Sequence, residues 1–121
     1  MINVLEVKKR LNRLLGQIKL AAGQKEVEVP EAKRACWRYR WVVPGTIVFV
    51  DSKDSSRLLF ITTSTISAEG LDFRSSRILE RGCKVLITLE TDEGELQIPA
   101  TVTHSTESVG MPITGVTFDL D

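Results

Sequence analysis

Short runs of β-branched and aromatic residues, separated by turn-forming residues, constrain the fold of this chain more than any other feature. They start at Thr46-Ile-Val-Phe-Val50 and continue as far as Ile113-Thr-Gly-Val-Thr-Phe118. Runs of this length favour strands, and the residues between them show no helical pattern long enough for a crossover connection. The sequence therefore predicts a mainly β domain, built as an antiparallel barrel or sandwich of five or six strands.

The predicted strands cover residues 46–50, 58–63, 71–73, 84–89, 96–102 and 113–118. Asp92-Glu-Gly94 lies between the fourth and fifth strands and is typical of the tight turn of a hairpin. Pro99 falls inside the fifth strand. Because proline has no N–H to donate to a neighbouring strand, it predicts an edge position or a bulge there.

The first part of the chain has a different pattern, which predicts one helix over residues 3–22. Apolar residues recur every seven positions in two interleaved series, and Gly23 is a suitable residue for the helix end. Three roles fit such an apolar face: packing on the chain's own barrel, self-association, and docking on another protein. For self-association we predict a dimer or higher assembly through Val4, Val7, Leu11, Leu14 and Ile18.

The composition is that of one globular domain of 121 residues, 42% hydrophobic, with 16 basic and 16 acidic side chains. Basic residues concentrate in the first third and acidic residues towards the end, which indicates either an anionic partner near the first third or only a solvated basic helix. We expect a helix in residues 1–23, a polar linker in 24–33 and a barrel in 34–121.

Location and cofactors follow from equally simple patterns. The start of the sequence is charged early, and no apolar run reaches the roughly 20 residues of a membrane span, so we expect neither a signal peptide nor a membrane anchor. Cys36 and Cys83 match no metal-binding spacing. We therefore expect a cytoplasmic protein with reduced thiols, no metal site and no cofactor.

Two arginines four residues apart, Arg34 and Arg38, stand just before the first strands and next to Lys33. Each guanidinium is always charged and offers a planar fork of donors that fits phosphate oxygens or the acceptor edge of guanine. Nearby aromatic side chains offer faces on which bases stack. Alternatively, the aromatic residues enter the core and the arginines are solvated.

A second segment, Thr65-Ile-Ser-Ala-Glu-Gly70, follows a predicted strand. If Ile66 points into the core, alternation places Thr65 and Ser67 on the other side. Gly70 is expected to let the chain turn with positive φ and to let backbone N–H groups approach a ligand. The alternative is an ordinary turn, since serine and glycine favour turns without any ligand.

The two segments together resemble the signatures of the PilZ domain family. One signature is Arg-x-x-x-Arg, and the other is Asp or Asn followed by x-Ser-x-x-Gly. They fall here on Arg34 with Arg38, and on Thr65, Ser67 and Gly70. The resemblance covers about residues 31–121, and further similar segments are 71–73, 80–82, 100–102 and 115–118.

The resemblance implies a six-stranded antiparallel β-barrel of the split-barrel type, here with an N-terminal α-helix. Many members of the family bind cyclic di-GMP, a bacterial second messenger, so it also implies a receptor or adaptor and not an enzyme. On binding, the arginine segment would order around the nucleotide and change a surface that a protein partner in motility, pilus or secretion control reads. The implied ligand contacts are Lys33, Arg34, Arg38, Thr65, Ser67 and Gly70.

One departure from the family pattern is Thr65, which stands where the signature has Asp or Asn. A carboxylate or amide addresses two polar atoms of a guanine edge at once, whereas a hydroxyl makes about one such bond. This leaves two alternatives: a receptor of lower affinity, or an adaptor that binds only protein. A third interpretation, a barrel that binds single-stranded nucleic acid through Trp37, Tyr39 and Trp41, is disfavoured by the zero net charge.

Overall fold

A computed structural model describes residues 3–21, 38–50, 58–107 and 109–120. The predicted helix is present as α1, and the predicted strands are present with somewhat different ends. The elements are α1 (Val4–Ala21), β1 (Tyr39–Arg40), β2 (Pro44–Phe49), β3 (Leu58–Ile66), β4 (Gly70–Arg74), β5 (Lys84–Thr91), β6 (Gly94–Thr106) and β7 (Ile113–Phe118).

The strands form one antiparallel sheet in the order β1-β3-β2-β5-β6-β7-β4, and β3 also pairs with β4. That last pairing closes β2 to β7 into a six-stranded barrel, which confirms the predicted fold class. The two-residue strand β1 lies outside the closed barrel. It pairs with the end of β3 on the same side as β2, with Tyr39 opposite Ile66.

The interior of the barrel is the hydrophobic core, and alternation along each strand builds it. In β2, Ile47 and Phe49 point inward, and in β5 the inward residues are Val85, Ile87 and Leu89. The intervening side chains of these strands face outward. In β3 the outward residue Phe60 is 76% exposed. The alternation of side chains along each strand therefore decides which residues are buried.

The β5–β6 hairpin confirms the predicted turn, since Gly94 has a φ of 102° and pairs with Thr91. The predicted edge position of Pro99 is wrong, because β6 pairs with β5 on one side and with β7 on the other. Pro99 accepts a hydrogen bond from Asp119 N at 2.8 Å, so its nitrogen faces the same side, just beyond the end of β7. The missing N–H therefore lies opposite Asp119, where β7 has already ended, and the bulge in β6 lies between Val102 and His104.

Helix α1 packs on the chain's own barrel. Asn3 caps it by accepting a hydrogen bond from Glu6 N at 3.1 Å. Its exposed side reaches the hairpin tip, where Arg10 Nη1 donates to the Glu95 carbonyl at 2.8 Å and Arg13 Nε lies 3.2 Å from Glu93 Oε1. Its buried residues, which join the barrel core, are Val7, Leu11, Leu14 and Ile18.

Of the three roles considered for the apolar face, packing on the barrel is therefore the one that the structure shows. An assembly built on the same seam would first have to separate α1 from the barrel. Self-association through these residues stays a prediction, as do the domain limits at 23 and 34, which lie outside the described residues.

Candidate functional site

The strand pair β1–β3 places Arg38. Arg38 immediately precedes β1, and Tyr39, which is buried, anchors that strand beside the end of β3. The Thr63 hydroxyl fixes the backbone that follows β1. It donates to the Trp41 carbonyl at 2.6 Å and accepts from Val43 N at 2.9 Å. These contacts hold Arg38 beside the end of β3, just before Ser67.

A bulge in β3 decides where Thr65 points. Ile61 and Thr63 face the interior, and uninterrupted alternation would also turn Thr65 inward. The register of β3 against β4 shifts between Thr63 and Thr65, so that Ile66 takes the interior position instead. Such a bulge re-aims the following side chains, and here it turns the Thr65 hydroxyl outward, towards Arg38.

Asp72 of β4 completes a polar cluster on this outer face. It is the cross-strand partner of Thr65, and its neighbours Leu71 and Phe73 are fully buried. Arg38 Nη1 lies 2.8 Å from Asp72 Oδ2 and donates to Thr65 Oγ1 at 3.3 Å. Thr65 Oγ1 in turn donates to Asp72 Oδ2 at 3.4 Å. A guanidinium, a hydroxyl and a carboxylate thus lie within direct contact of one another.

This cluster is largely shielded from water but still reachable. The Arg38 side chain is 13% exposed and that of Asp72 is 23% exposed. Within the described part of the chain, Arg38 Nε is buried and has no hydrogen-bond partner. A charged pair at this depth is screened less than a surface pair, so a polar ligand that met its exposed edge would interact strongly.

The turn that follows β3 is built by the Ser67 hydroxyl. Ser67 Oγ donates to the Gly70 carbonyl at 3.2 Å and accepts from the backbone N–H groups of Glu69 at 3.2 Å and of Gly70 at 3.3 Å. Ser67 is only 2% exposed. The geometry gives its hydroxyl a role in shaping the turn, and direct contact with a ligand stays a prediction.

Gly70 differs from its predicted role. The described glycines with positive φ are Gly82, Gly94 and Gly110, so the expected positive φ at Gly70 is wrong. Gly70 is the first residue of β4, and a Cβ there would lie 2.0 Å from the Val116 carbonyl oxygen of β7. The close approach of two strands requires this glycine.

The remaining predicted contacts, Lys33 and Arg34, lie outside the described residues, as does Trp37. Of the six predicted ligand contacts, the structure therefore locates Arg38, Thr65, Ser67 and Gly70. It brings Arg38 and Thr65 into contact and places the Ser67 turn at the end of the same strand.

Asp72 is the site residue that the sequence patterns did not single out. A signal was present, because a charged residue between two strongly apolar residues of a strand must face outward. What alternation does not reveal is the partner on that face. Only the pairing of β3 with β4 puts Asp72 opposite Thr65.

Two other kinds of site are absent from the ranges that the structure covers. In those ranges no group of three or more His, Cys, Asp or Glu side chains is arranged to hold a metal ion. No helix among the described residues is long and apolar enough to cross a bilayer.

The sequence matches no family model and no curated protein. Solved structures that are similar to this chain in fold include two PilZ domains. The PilZ domain of CeSA from a cellulose-synthesizing bacterium is 20% identical, has a TM-score of 0.57, and the match covers 69% of this chain and 81% of that domain. The PilZ domain of YcgR from Escherichia coli, solved with c-di-GMP, is 12% identical with a TM-score of 0.59, over 72% of this chain and 78% of that one. The chain therefore has the fold of a PilZ domain.

Proposed function

We propose that this protein is a cyclic di-GMP receptor that signals to a protein partner by changing its conformation or assembly. The observation that carries the proposal is the contact between Arg38 and Thr65 beside the Ser67–Gly70 turn. These residues match two signatures that are far apart in the sequence, and the PilZ fold supports their use as one site. No catalytic step is needed for this function.

Arg38 would bind a phosphate or the acceptor edge of guanine through donors not used by Asp72. Lys33 and Arg34, which precede Arg38 in the sequence, would add further donors. Charge-assisted hydrogen bonds contribute about 1.5–3 kcal/mol each, and together they must exceed the conformational entropy lost by the groups that order around the nucleotide. Binding and ordering are therefore one coupled event in this proposal.

Helix α1 lies close enough to the Ser67–Gly70 turn to transmit a change at the site to a partner. A cleft of about 470 Å³ lies along one side of the contact between the helix and the barrel. The turn residues Ala68 and Glu69 line its barrel side, and Lys8, Leu11 and Asn12 line its helix side. A ligand that shifts the turn would change how the helix packs on the barrel. The surface that a partner in motility, pilus or secretion control contacts would change with it.

A second candidate is an adaptor with the same fold that binds only protein. The observation that favours it is Thr65, whose hydroxyl already contacts Arg38 and Asp72. It can make fewer hydrogen bonds to a ligand than an Asp or Asn side chain. In this case the cluster would only fasten β1 to the barrel.

Isothermal titration of the protein with cyclic di-GMP separates the two candidates. We expect saturable binding by the wild type and its loss in Arg38→Ala, because the guanidinium is the central donor. Arg40→Ala is the matched control, since it removes the same charge from an exposed neighbour on β1. The absence of binding by the wild type and by Thr65→Asp would contradict the receptor and favour the adaptor.

A further inference from the structure

We infer that Asp72 supplies the guanine-reading carboxylate that position 65 lacks in this chain, from the neighbouring strand. The inference rests on the proposed function and adds a specificity-determining residue to that site. Thr65 and Asp72 are cross-strand partners, and Thr65 Oγ1 lies 3.4 Å from Asp72 Oδ2. A carboxylate is therefore present within hydrogen-bond distance of the position where the signature would place one.

The orientation of Asp72 follows from the packing of β4. Leu71 and Phe73 are anchored in the barrel core, which leaves the Asp72 side chain on the outer face with 23% of it exposed. Its contact with Arg38 restricts its motion further, since Arg38 Nη1 lies 2.8 Å from Oδ2. The carboxylate is thus positioned before any ligand arrives.

Arg38 and Asp72 together match the chemistry of guanine. Guanine presents acceptors, O6 and N7, on one edge and donors, N1–H and the 2-amino group, on the adjacent edge. An arginine donates to the acceptor edge, and a carboxylate, which only accepts, pairs with the donor edge. Adenine has an acceptor at its N1, which a carboxylate repels. The pair therefore selects guanine.

The same geometry admits a different role, in which Asp72 only neutralises Arg38 and competes with the ligand phosphates. The two roles predict opposite effects of removing the carboxylate. If Asp72 reads the base, Asp72→Ala weakens binding. If Asp72 is a competing counter-ion, Asp72→Ala strengthens it.

The test is titration calorimetry with cyclic di-GMP and with its inosine analogue, which lacks both 2-amino groups. We expect the wild type to prefer the guanine ligand and Asp72→Ala to bind it about ten- to a hundredfold more weakly, as expected for loss of a hydrogen bond to a charged group. The variant should also lose most of its preference for guanine over hypoxanthine. A purely structural role of Asp72 would weaken both ligands equally.

A swap of the two partners is the matched control. Asp72→Thr should weaken binding, and the double variant Thr65→Asp with Asp72→Thr should restore both affinity and guanine preference, because it only moves the carboxylate across the strand pair. Thermal melts verify that each variant is folded. Guanine binding that is unchanged or tighter in Asp72→Ala overturns this inference alone. A wild type and a Thr65→Asp variant that both fail to bind overturn it together with the proposed function.

Discussion

Two glycines of this chain illustrate how the surroundings of a residue decide its role. Gly16 lies in the middle of α1, and a Cβ there would meet nothing within 4 Å. Gly70 lies where β4 and β7 approach so closely that a Cβ would meet the Val116 carbonyl oxygen at 2.0 Å. In the first case glycine only weakens the helix, whereas in the second it is required for strand pairing.

We therefore expect the same substitution to have opposite effects at the two positions. Gly16→Ala should raise the free energy of unfolding by about 0.5–1 kcal/mol, because alanine favours the helix and the site is open. Gly70→Ala should lower it by about 1–3 kcal/mol or more, because backbone must move to admit the Cβ. Urea unfolding measures both. Equal stabilities of Gly70→Ala and the wild type would contradict the close approach of β4 and β7.

At the scale of elements, β3 contributes to the core along most of its length and to the polar cluster at its end. Up to Thr63 it alternates between the barrel interior and the outer face, and beyond the bulge it contributes Thr65 to the polar cluster. The outward residue Phe60 is 76% exposed, and its neighbour Ile61 is 3% exposed. Adjacent positions of one strand thus differ sharply in what they contribute to stability.

Threonine substitutions at these neighbours test the alternation while preserving strand propensity. Phe60→Thr should change the free energy of unfolding by no more than about 0.5 kcal/mol, as is usual for exposed sites. Ile61→Thr should cost about 2–4 kcal/mol, because it removes buried apolar groups and places a hydroxyl in the core. Chemical unfolding of the two variants side by side gives the comparison, and similar losses would mean that the face assignment of β3 is wrong.

At the scale of the whole molecule, α1 and the barrel share one hydrophobic core. Leu11 is 3% exposed between helix and barrel, whereas Leu20, on the same helix, is 84% exposed. The seven-residue repeat that predicts self-association describes equally well a helix that packs on a barrel, since both need one continuous apolar stripe. The structure uses that stripe within the chain.

Leu11→Gln and Leu20→Gln distinguish packing within the chain from assembly between chains. Packing on the barrel predicts that Leu11→Gln lowers the free energy of unfolding by about 3 kcal/mol, while Leu20→Gln has little effect. Unfolding curves and light scattering on both variants give stability and molar mass. If Leu11→Gln instead reduced the molar mass and left stability unchanged, the seam would be an interface between copies.

Much of the fold and about half of the site were predictable from local patterns. The strand at 113–118 and the tight turn at Gly94 depend on residues close in sequence, so the sequence alone was enough to predict them. The bulge of β3 was not predictable, because nothing around Thr63 distinguishes a bulged strand from a regular one. The same limit explains the error at Pro99, whose tolerance depends on where β7 ends.

The sequence by itself determined the local properties: which segments form strands, which segment forms a helix, and which polar groups Arg38 and Thr65 carry. These follow from side-chain chemistry, from runs of β-branched and aromatic residues, and from the seven-residue repeat of the helix. Only the tertiary structure decided that β3 closes the barrel against β4, that α1 covers the barrel, and that Asp72 stands beside Arg38. Those contacts join residues far apart in the chain, where many pairings satisfy the same local pattern and the packing of one shared core selects among them.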